Sequence, residues 1–119
     1  MLGDISGAEE IYIFCGYTDM RRSIDGLAAH VRQAFGLNPM SNTLFLFCGR
    51  RSDRLKALLW EGDGFVLLYK RLEGGGRFQW PRSQSEAKKL TWQQFRWLIE
   101  GLKIEQKTAL KTVKKRVVI

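Results

Sequence analysis

The side chains able to do chemistry in this 119-residue chain are few and dispersed. Strand-transfer or hydrolytic catalysis on nucleic acid calls for carboxylates converging on metal ions, and other hydrolases need a nucleophile with a base in reach. Neither pattern is visible: Asp25, Asp53, Asp63 and Glu73 stand singly among turns and caps, where acids have ordinary structural jobs. His30, the single histidine, lies beside Leu27 and Val31 and reads as a partly exposed helix residue rather than a general base. Cys15 and Cys48 each follow a phenylalanine and precede a glycine inside apolar stretches. They read as buried thiols. With no Cys-x-x-Cys or His-x-x-x-His spacing, an ordinary four-ligand zinc site cannot be assembled, and no cofactor is expected.

Bases are plentiful. Twenty Lys and Arg against 12 Asp and Glu give a net charge of +8, a field that draws polyanions. They fall in pairs near the ends of expected strands: Arg21 and Arg22, then Arg50 and Arg51 with Arg54 and Lys56, then Lys70 and Arg71, and further on Arg77 and Arg82. Guanidinium forks suit phosphate oxygens, and Trp60, Tyr69 and Trp80 are interleaved with them. The candidate nucleic-acid-binding set is therefore Arg21, Arg22, Arg50, Arg51, Arg54, Lys56, Lys70 and Arg71.

Elements that could position these residues follow from apolar spacing. Residues 11–15 are β-branched and aromatic and read as a strand closed by Gly16. Ile24, Leu27, Ala28, Val31 and Phe35 recur at helical spacing, with Gly36 placed to end the helix and Pro39 beyond it. Gly26 inside this helix implies either close packing or a late start. Thr43–Cys48 is apolar on both alternating sets, as a central strand covered on both faces would be. Residues 55–60 and 65–72 flank Glu61-Gly62-Asp63-Gly64, and Asp-Gly is a hairpin signal. A two-residue Asp63-Gly64 turn would set Trp60 opposite Leu67, Leu58 opposite Tyr69 and Lys56 opposite Arg71. That last pair either flanks an anion or splays into solvent.

Gly74-Gly75-Gly76 reads as a turn into a short strand from Arg77 to Trp80, ended by Pro81; it lacks the residues of a phosphate loop. Thr91 and Gln94 form a capping box, with Leu90 and Phe95 at the staple positions, so a second helix starts there. Phe95, Leu98, Ile99 and Leu102 make its buried stripe, and Gly101 is placed to end it. Trp92 and Trp97 fall outside that stripe, as stacking platforms for bases or as aromatics packed on strand edges. From Lys103 to Ile119 six bases face one acid; Lys103, Lys107 and Lys111 would form one stripe if helical, and a disordered tail is the alternative.

The expected architecture is α+β: an antiparallel sheet of about five strands with two principal helices over residues 1–102, and a basic C-terminal tail over 103–119. No apolar run approaches the roughly 20 residues that cross a bilayer, and Met1 to Glu10 carries acids where a signal peptide carries bases. The expectation is a cytoplasmic protein with no membrane partner.

Several segments together resemble one family. They are Thr18-Asp19-Met20-Arg21, Asp25-Gly26-Leu27, Leu55–Leu59 leading into Trp60-Glu61-Gly62-Asp63-Gly64-Phe65, and Leu68-Tyr69-Lys70-Arg71-Leu72-Glu73. Gly76-Arg77-Phe78-Gln79-Trp80-Pro81 and Leu90-Thr91-Trp92-Gln93-Gln94-Phe95 through Glu100-Gly101-Leu102 complete the set. In this order and spacing they resemble the TnpB accessory-protein family of the insertion sequence 66 group of bacterial transposable elements, also called second-open-reading-frame-like. The resemblance implies a protein encoded beside a separate transposase and needed for transposition, without established catalysis. It is distinct from the much longer RNA-guided nuclease that shares the name TnpB. Two functions lead: a non-catalytic factor binding nucleic acid, expected to be element DNA, or a module docking on the transposase or another element-encoded protein through exposed Trp92 and Trp97; an unrecognised nuclease, built from scattered acids that converge in the fold, ranks third. The lysine-rich tail lies outside the resemblance.

Overall fold

A computed structural model describes residues 2–82 and 86–106. Its regular elements are a short 3-10 turn (Ile5–Gly7), β1 (Glu10–Phe14), α1 (Ile24–Phe35), β2 (Thr43–Cys48), β3 (Arg54–Trp60), β4 (Phe65–Arg71), β5 (Ala87–Leu90) and α2 (Trp92–Ile99). The five strands form one sheet in the order β4-β3-β2-β1-β5. The α+β class is as expected, but the sheet is mixed: β1 and β2 run parallel, and the other three pairings are antiparallel. Strands joined by a helix cannot close as a tight hairpin, and α1 supplies the crossover that lets β2 run beside β1 in the same direction.

β2 is central and buried along its whole length, as its two-sided apolar pattern requires. Its alternating side chains feed two cores. On one face Phe45 and Phe47 join Phe14 and Leu58 beneath Leu27, Ala28 and Val31 of α1. On the other face Leu44, Leu46 and Cys48 join Ile11, Ile13, Leu55, Ala57 and Leu59, closed by Leu98 of α2 together with Phe78, Trp80 and Ile104. Phe14 and Phe47, neighbours across the parallel pair, stack with centroids 4.7 Å apart and planes 1° apart.

α1 begins at Ile24, and Gly26 serves close packing: a Cβ there would lie 3.3 Å from the Arg22 side-chain stem. It ends as its sequence demands. Gly36 takes a φ of 65°, its N–H and that of Leu37 donate back to Arg32 and Val31, and Leu37 packs into the core. α2 carries the full capping box, with Gln94 N–H donating to Thr91 Oγ1 and Thr91 N–H to Gln94 Oε1. At its other end Gly101 and Leu102 donate to Leu98 and Trp97 carbonyls, a double closure that needs the positive φ of Gly101. Leu102 itself remains 44% exposed and does not join the stripe.

Two further expectations are corrected. The β3–β4 hairpin turns through all four residues Glu61–Gly64, with Glu61 N–H donating to the Gly64 carbonyl. Trp60 therefore pairs with Phe65, Leu58 with Leu67 and Lys56 with Tyr69, and the like-charged pair becomes Arg54 opposite Arg71. Arg77–Trp80 is not a strand: it is an irregular span that inserts Phe78 and Trp80 into the α2-face core. The fifth strand is Ala87–Leu90, an edge strand with Lys88 and Lys89 exposed enough to pair with Glu105 and Glu10. Ile104 is only 6% exposed and its carbonyl accepts from Gln94. Of the expected tail, residues 107–119 lie outside the described residues.

Candidate nucleic-acid interface

The β2–β3 connection, residues 49–53, is held by hydrogen bonds from within and from two other segments. Gly49 N–H donates to the Arg54 carbonyl and Ser52 N–H to the Gly49 carbonyl, and Ser52 takes a φ of 62° to close the turn. Arg82 Nη2 donates to the carbonyls of Gly49 (3.0 Å) and Arg50 (3.1 Å) and to Ser52 Oγ. Arg77 Nη1 donates to the Arg51 carbonyl. The main chain adds Phe78 N–H to the Ser52 carbonyl and Leu72 N–H to the Asp53 carbonyl, both 2.7 Å. Two arginines that the sequence groups with the other bases thus act from behind, on the loop's carbonyls.

Beside this loop lies the segment from Gly16 to Arg22. Thr18 N–H donates to the carbonyl of Cys48 at the end of β2. Met20 lies on Gly49 so closely that a Cβ at position 49 would stand 2.7 Å from Met20 Cγ, so this contact requires glycine. Lys56 Nζ reaches across to the carbonyls of Met20 (2.8 Å) and Arg22 (2.7 Å) and lies 5.5 Å from the Tyr69 ring centroid. Between segment and loop is an open cleft of about 540 Å³ lined by Tyr17–Met20, Gly49–Arg51, Asp53 and Arg54.

The eight candidate bases are sorted by these contacts into different roles. Arg50, Arg51 and Arg54 converge on the cleft, and none has a carboxylate partner among the described residues. Arg50 lies 4.5 Å from the Tyr17 ring centroid and donates to its hydroxyl at 2.6 Å. Arg21 forks onto Asp19 at 2.8–3.2 Å, a grip that holds the Asp19 carboxyl at about 2, below its ordinary 3.8. Arg71 is likewise held by Glu73 at 2.9 Å. Lys56 is spent on main-chain carbonyls. Arg22 lies along α1 beside Gly26 and His30. Lys70, paired with Leu55, projects to the opposite face of the sheet from Lys56, beside an apolar cleft with Leu68, Phe95 and Ile99.

Potential catalytic groups stay apart. Among the described residues no three His, Cys, Asp or Glu side chains group so as to hold a metal ion. Burial, with Arg22 nearby, pushes the His30 imidazole below its ordinary value, and its ring packs on Phe14, Phe35 and Phe47. Burial pushes the Cys48 thiol up to about 12 and raises Cys15 as well, so neither is a ready nucleophile. Trp92 packs against the α2-face core, edge-on to Phe95 at 5.4 Å, and Trp97 is half-buried. Neither presents the exposed indole expected of a docking residue. Among the described residues no helix is long and apolar enough to cross a membrane.

The family described as "IS66 Orf2 like protein" matches residues 9–109, a span that takes in both faces of the sheet and every element lining the cleft. The chain belongs to the IS66 Orf2-like family. It is an insertion-sequence accessory family, not a known catalytic one. The chain is also similar to two proteins from Sinorhizobium fredii (strain NBRC 101917 / NGR234). "Uncharacterized protein y4hO" is 37% identical over 92 residues, covering 77% of this chain and 79% of that one. "Uncharacterized protein y4jC" is 36% identical over 84 residues, 71% of each. No solved structure matches. Sequence reasoning missed two members of the site, Tyr17, whose exposure no periodicity reveals, and Asp53, which reads as a turn acid, and it missed the structural use of Arg77 and Arg82.

Proposed function

We propose that this IS66 Orf2-like protein is a non-catalytic accessory factor of transposition that binds nucleic acid through the β2–β3 loop. The observation that carries the reading is the loop's construction: Arg77 and Arg82 fix its main chain from behind, while Arg50, Arg51 and Arg54 face the cleft with no carboxylate partner among the described residues. Guanidinium groups held on a rigid frame and left un-neutralised are suited to phosphate oxygens, since little ordering remains to be done on binding. The partner is element DNA, held for the transposase, in the cytoplasm where a transposase works.

Counterion release supplies the test. A protein touching about six phosphates loses roughly three orders of magnitude in affinity between 50 and 200 mM salt. In fluorescence anisotropy titrations, replacing Arg50, Arg51 and Arg54 together by Ala lowers the slope of log affinity against log salt by roughly two to three units, with the unfolding midpoint unchanged. Replacing Lys103, Lys107 and Lys111 is the control. An unaltered slope in the loop mutant, or no binding to duplex or single strands at low salt, overturns the reading in favour of docking on another element-encoded protein.

A further inference from the structure

The cleft contains more than a phosphate site needs. Its basic lining includes Asp19 and Asp53, and a carboxylate beside a phosphate repels it. Asp19 is answered for by the fork of Arg21. Asp53 has no such fork: half-buried between Ser52 and Arg54, its side chain makes no hydrogen bond or close ion pair among the described residues, Arg71 acting on it only from a distance, although three arginines line the same cleft. The second surplus feature is Tyr17. An exposed tyrosine, 57% accessible, has its ring and hydroxyl held by Arg50 at the edge of the cleft, where solvation of a flexible side chain would otherwise be the cheaper arrangement.

We infer that the cleft holds one unpaired guanine, its ring stacked on the Tyr17–Arg50 pair and its Watson–Crick edge donating to Asp53, with the flanking phosphates on Arg51 and Arg54. This deepens, and rests on, the proposed nucleic-acid reading. An ionised carboxylate only accepts hydrogen bonds. Of the four bases guanine alone carries two adjacent donors on one edge, the N1–H and the N2 amino group, matching the two carboxylate oxygens. Thymine sets a carbonyl on either side of its single N–H, and adenine and cytosine each set an acceptor nitrogen beside their amino group. In a duplex that guanine edge is already occupied by cytosine, so the site takes a base that is unpaired. Stacking on an aromatic ring is open to any base, which leaves the choice among bases to Asp53. A volume of about 540 Å³ lies within the range of small-molecule sites and accommodates a nucleoside.

The test uses the full chain and fluorescein-labelled oligothymidylate 10-mers with thymine, guanine or inosine at the centre, beside a duplex of the same length. The single-guanine strand binds about tenfold more tightly than the all-thymine strand, the scale of hydrogen bonds to a charged group. Inosine, lacking the N2 amino group, loses most of that preference. Asp53→Asn removes the preference for guanine while raising affinity for oligothymidylate, because a repulsive charge is gone; the opposite signs separate base reading from general electrostatics. The Asp53 main-chain carbonyl still accepts from Leu72, so the fold is retained, as an unchanged thermal midpoint verifies. Tyr17→Ala weakens every single strand about tenfold and the duplex by much less, since the duplex loses only the hold of Tyr17 on Arg50 and no stacking. Equal affinity for guanine and thymine strands, or an undiminished preference in Asp53→Asn, overturns the inference while the phosphate-binding reading stands. Absence of binding to all strands overturns both.

Discussion

The ammonium of Lys56, on β3, donates to the main-chain carbonyl of Met20 at 2.8 Å across 36 positions of sequence. With the second bond to the Arg22 carbonyl, it fastens the segment before α1 to the sheet at the point where that segment borders the cleft. A residue that looked like a phosphate ligand is a clasp.

Replacing Lys56 by Met keeps the aliphatic stem and removes both bonds. Hydrogen bonds to charged groups are worth about 1.5–3 kcal/mol, less where water competes, so the expected loss for this half-exposed group is about 1 kcal/mol. Urea unfolding should give a lower midpoint with an unaltered slope. An unchanged midpoint would mean that water replaces the ammonium without cost and that Lys56 is available to a ligand.

How far the sequence discloses this arrangement depends on whether a signal is local. The caps of α2 and the end of α1 are local: Thr91, Gln94, Gly36 and Gly101 each satisfy main-chain groups within a few residues, and all four act as read. β2 is legible because burial on both faces leaves no polar alternation. The direction of β1 beside β2 is a property of the crossover, carried by neither strand's composition. β5 was missed because an edge strand of two lysines between Ala87 and Leu90 has almost no apolar signal. The pairing of Arg54 with Arg71 turns on one four-residue loop, and a two-residue reading displaces every partner by two. Within the site, Arg50, Arg51 and Arg54 were legible as a cluster. Whether an arginine points to solvent or to a carbonyl, as Arg77 and Arg82 do, is decided by contacts some 26–33 residues away.

Acid titration should isolate the Asp19–Arg21 pair. The folded carboxyl, at about 2, lies below its ordinary 3.8, so whatever stability the pair contributes is present above the ordinary value and is lost as pH falls through about 2. Carboxylate NMR of the native protein should place the Asp19 midpoint near 2, and Arg21→Ala should return it towards 3.8. A midpoint already at the ordinary value in the parent protein would show that the fork does not persist in solution.

At high pH the sign reverses. The buried Cys48 thiol, at about 12 against an ordinary 9.0, keeps its proton when an unfolded chain has released it, so the unfolded state binds fewer protons and stability falls as pH rises from about 9 towards 12. Cys48→Ala should flatten that alkaline decline. At pH 8 an aromatic disulfide reagent should titrate neither thiol in the native protein and both in denaturant, since Cys15 and Cys48 are both buried. Rapid native modification of Cys48 would require opening at the end of β2, beneath the loop that carries the three arginines.

The most demanding prediction concerns two residues behind the proposed contact surface. Arg77 and Arg82 hold the carbonyls of Gly49, Arg50 and Arg51 from behind. Replacing both by Ala removes two positive charges, which by itself weakens polyanion binding uniformly. It also frees a loop whose Ser52 holds a left-handed φ of 62° that few residues adopt without enforcement. The carbonyls lie near the surface and can take water, so global stability should fall by no more than about 1 kcal/mol. Affinity should nonetheless fall about tenfold beyond a control in which Arg22 and Lys70, whose side chains make no hydrogen bond or ion pair among the described residues, are replaced together, because the three facing guanidinium groups must then be ordered at the moment of binding. The salt slope separates the two contributions. If Arg77 and Arg82 act through the loop, the slope stays near that of the parent protein, since Arg50, Arg51 and Arg54 still reach their phosphates once bound; if they are direct ligands, it falls by about two units. Amide exchange at Ser52 and Asp53 in the free double mutant offers an independent check. Exchange no faster than in the parent protein would show that the main-chain bonds to Phe78 and Leu72 hold the loop unaided.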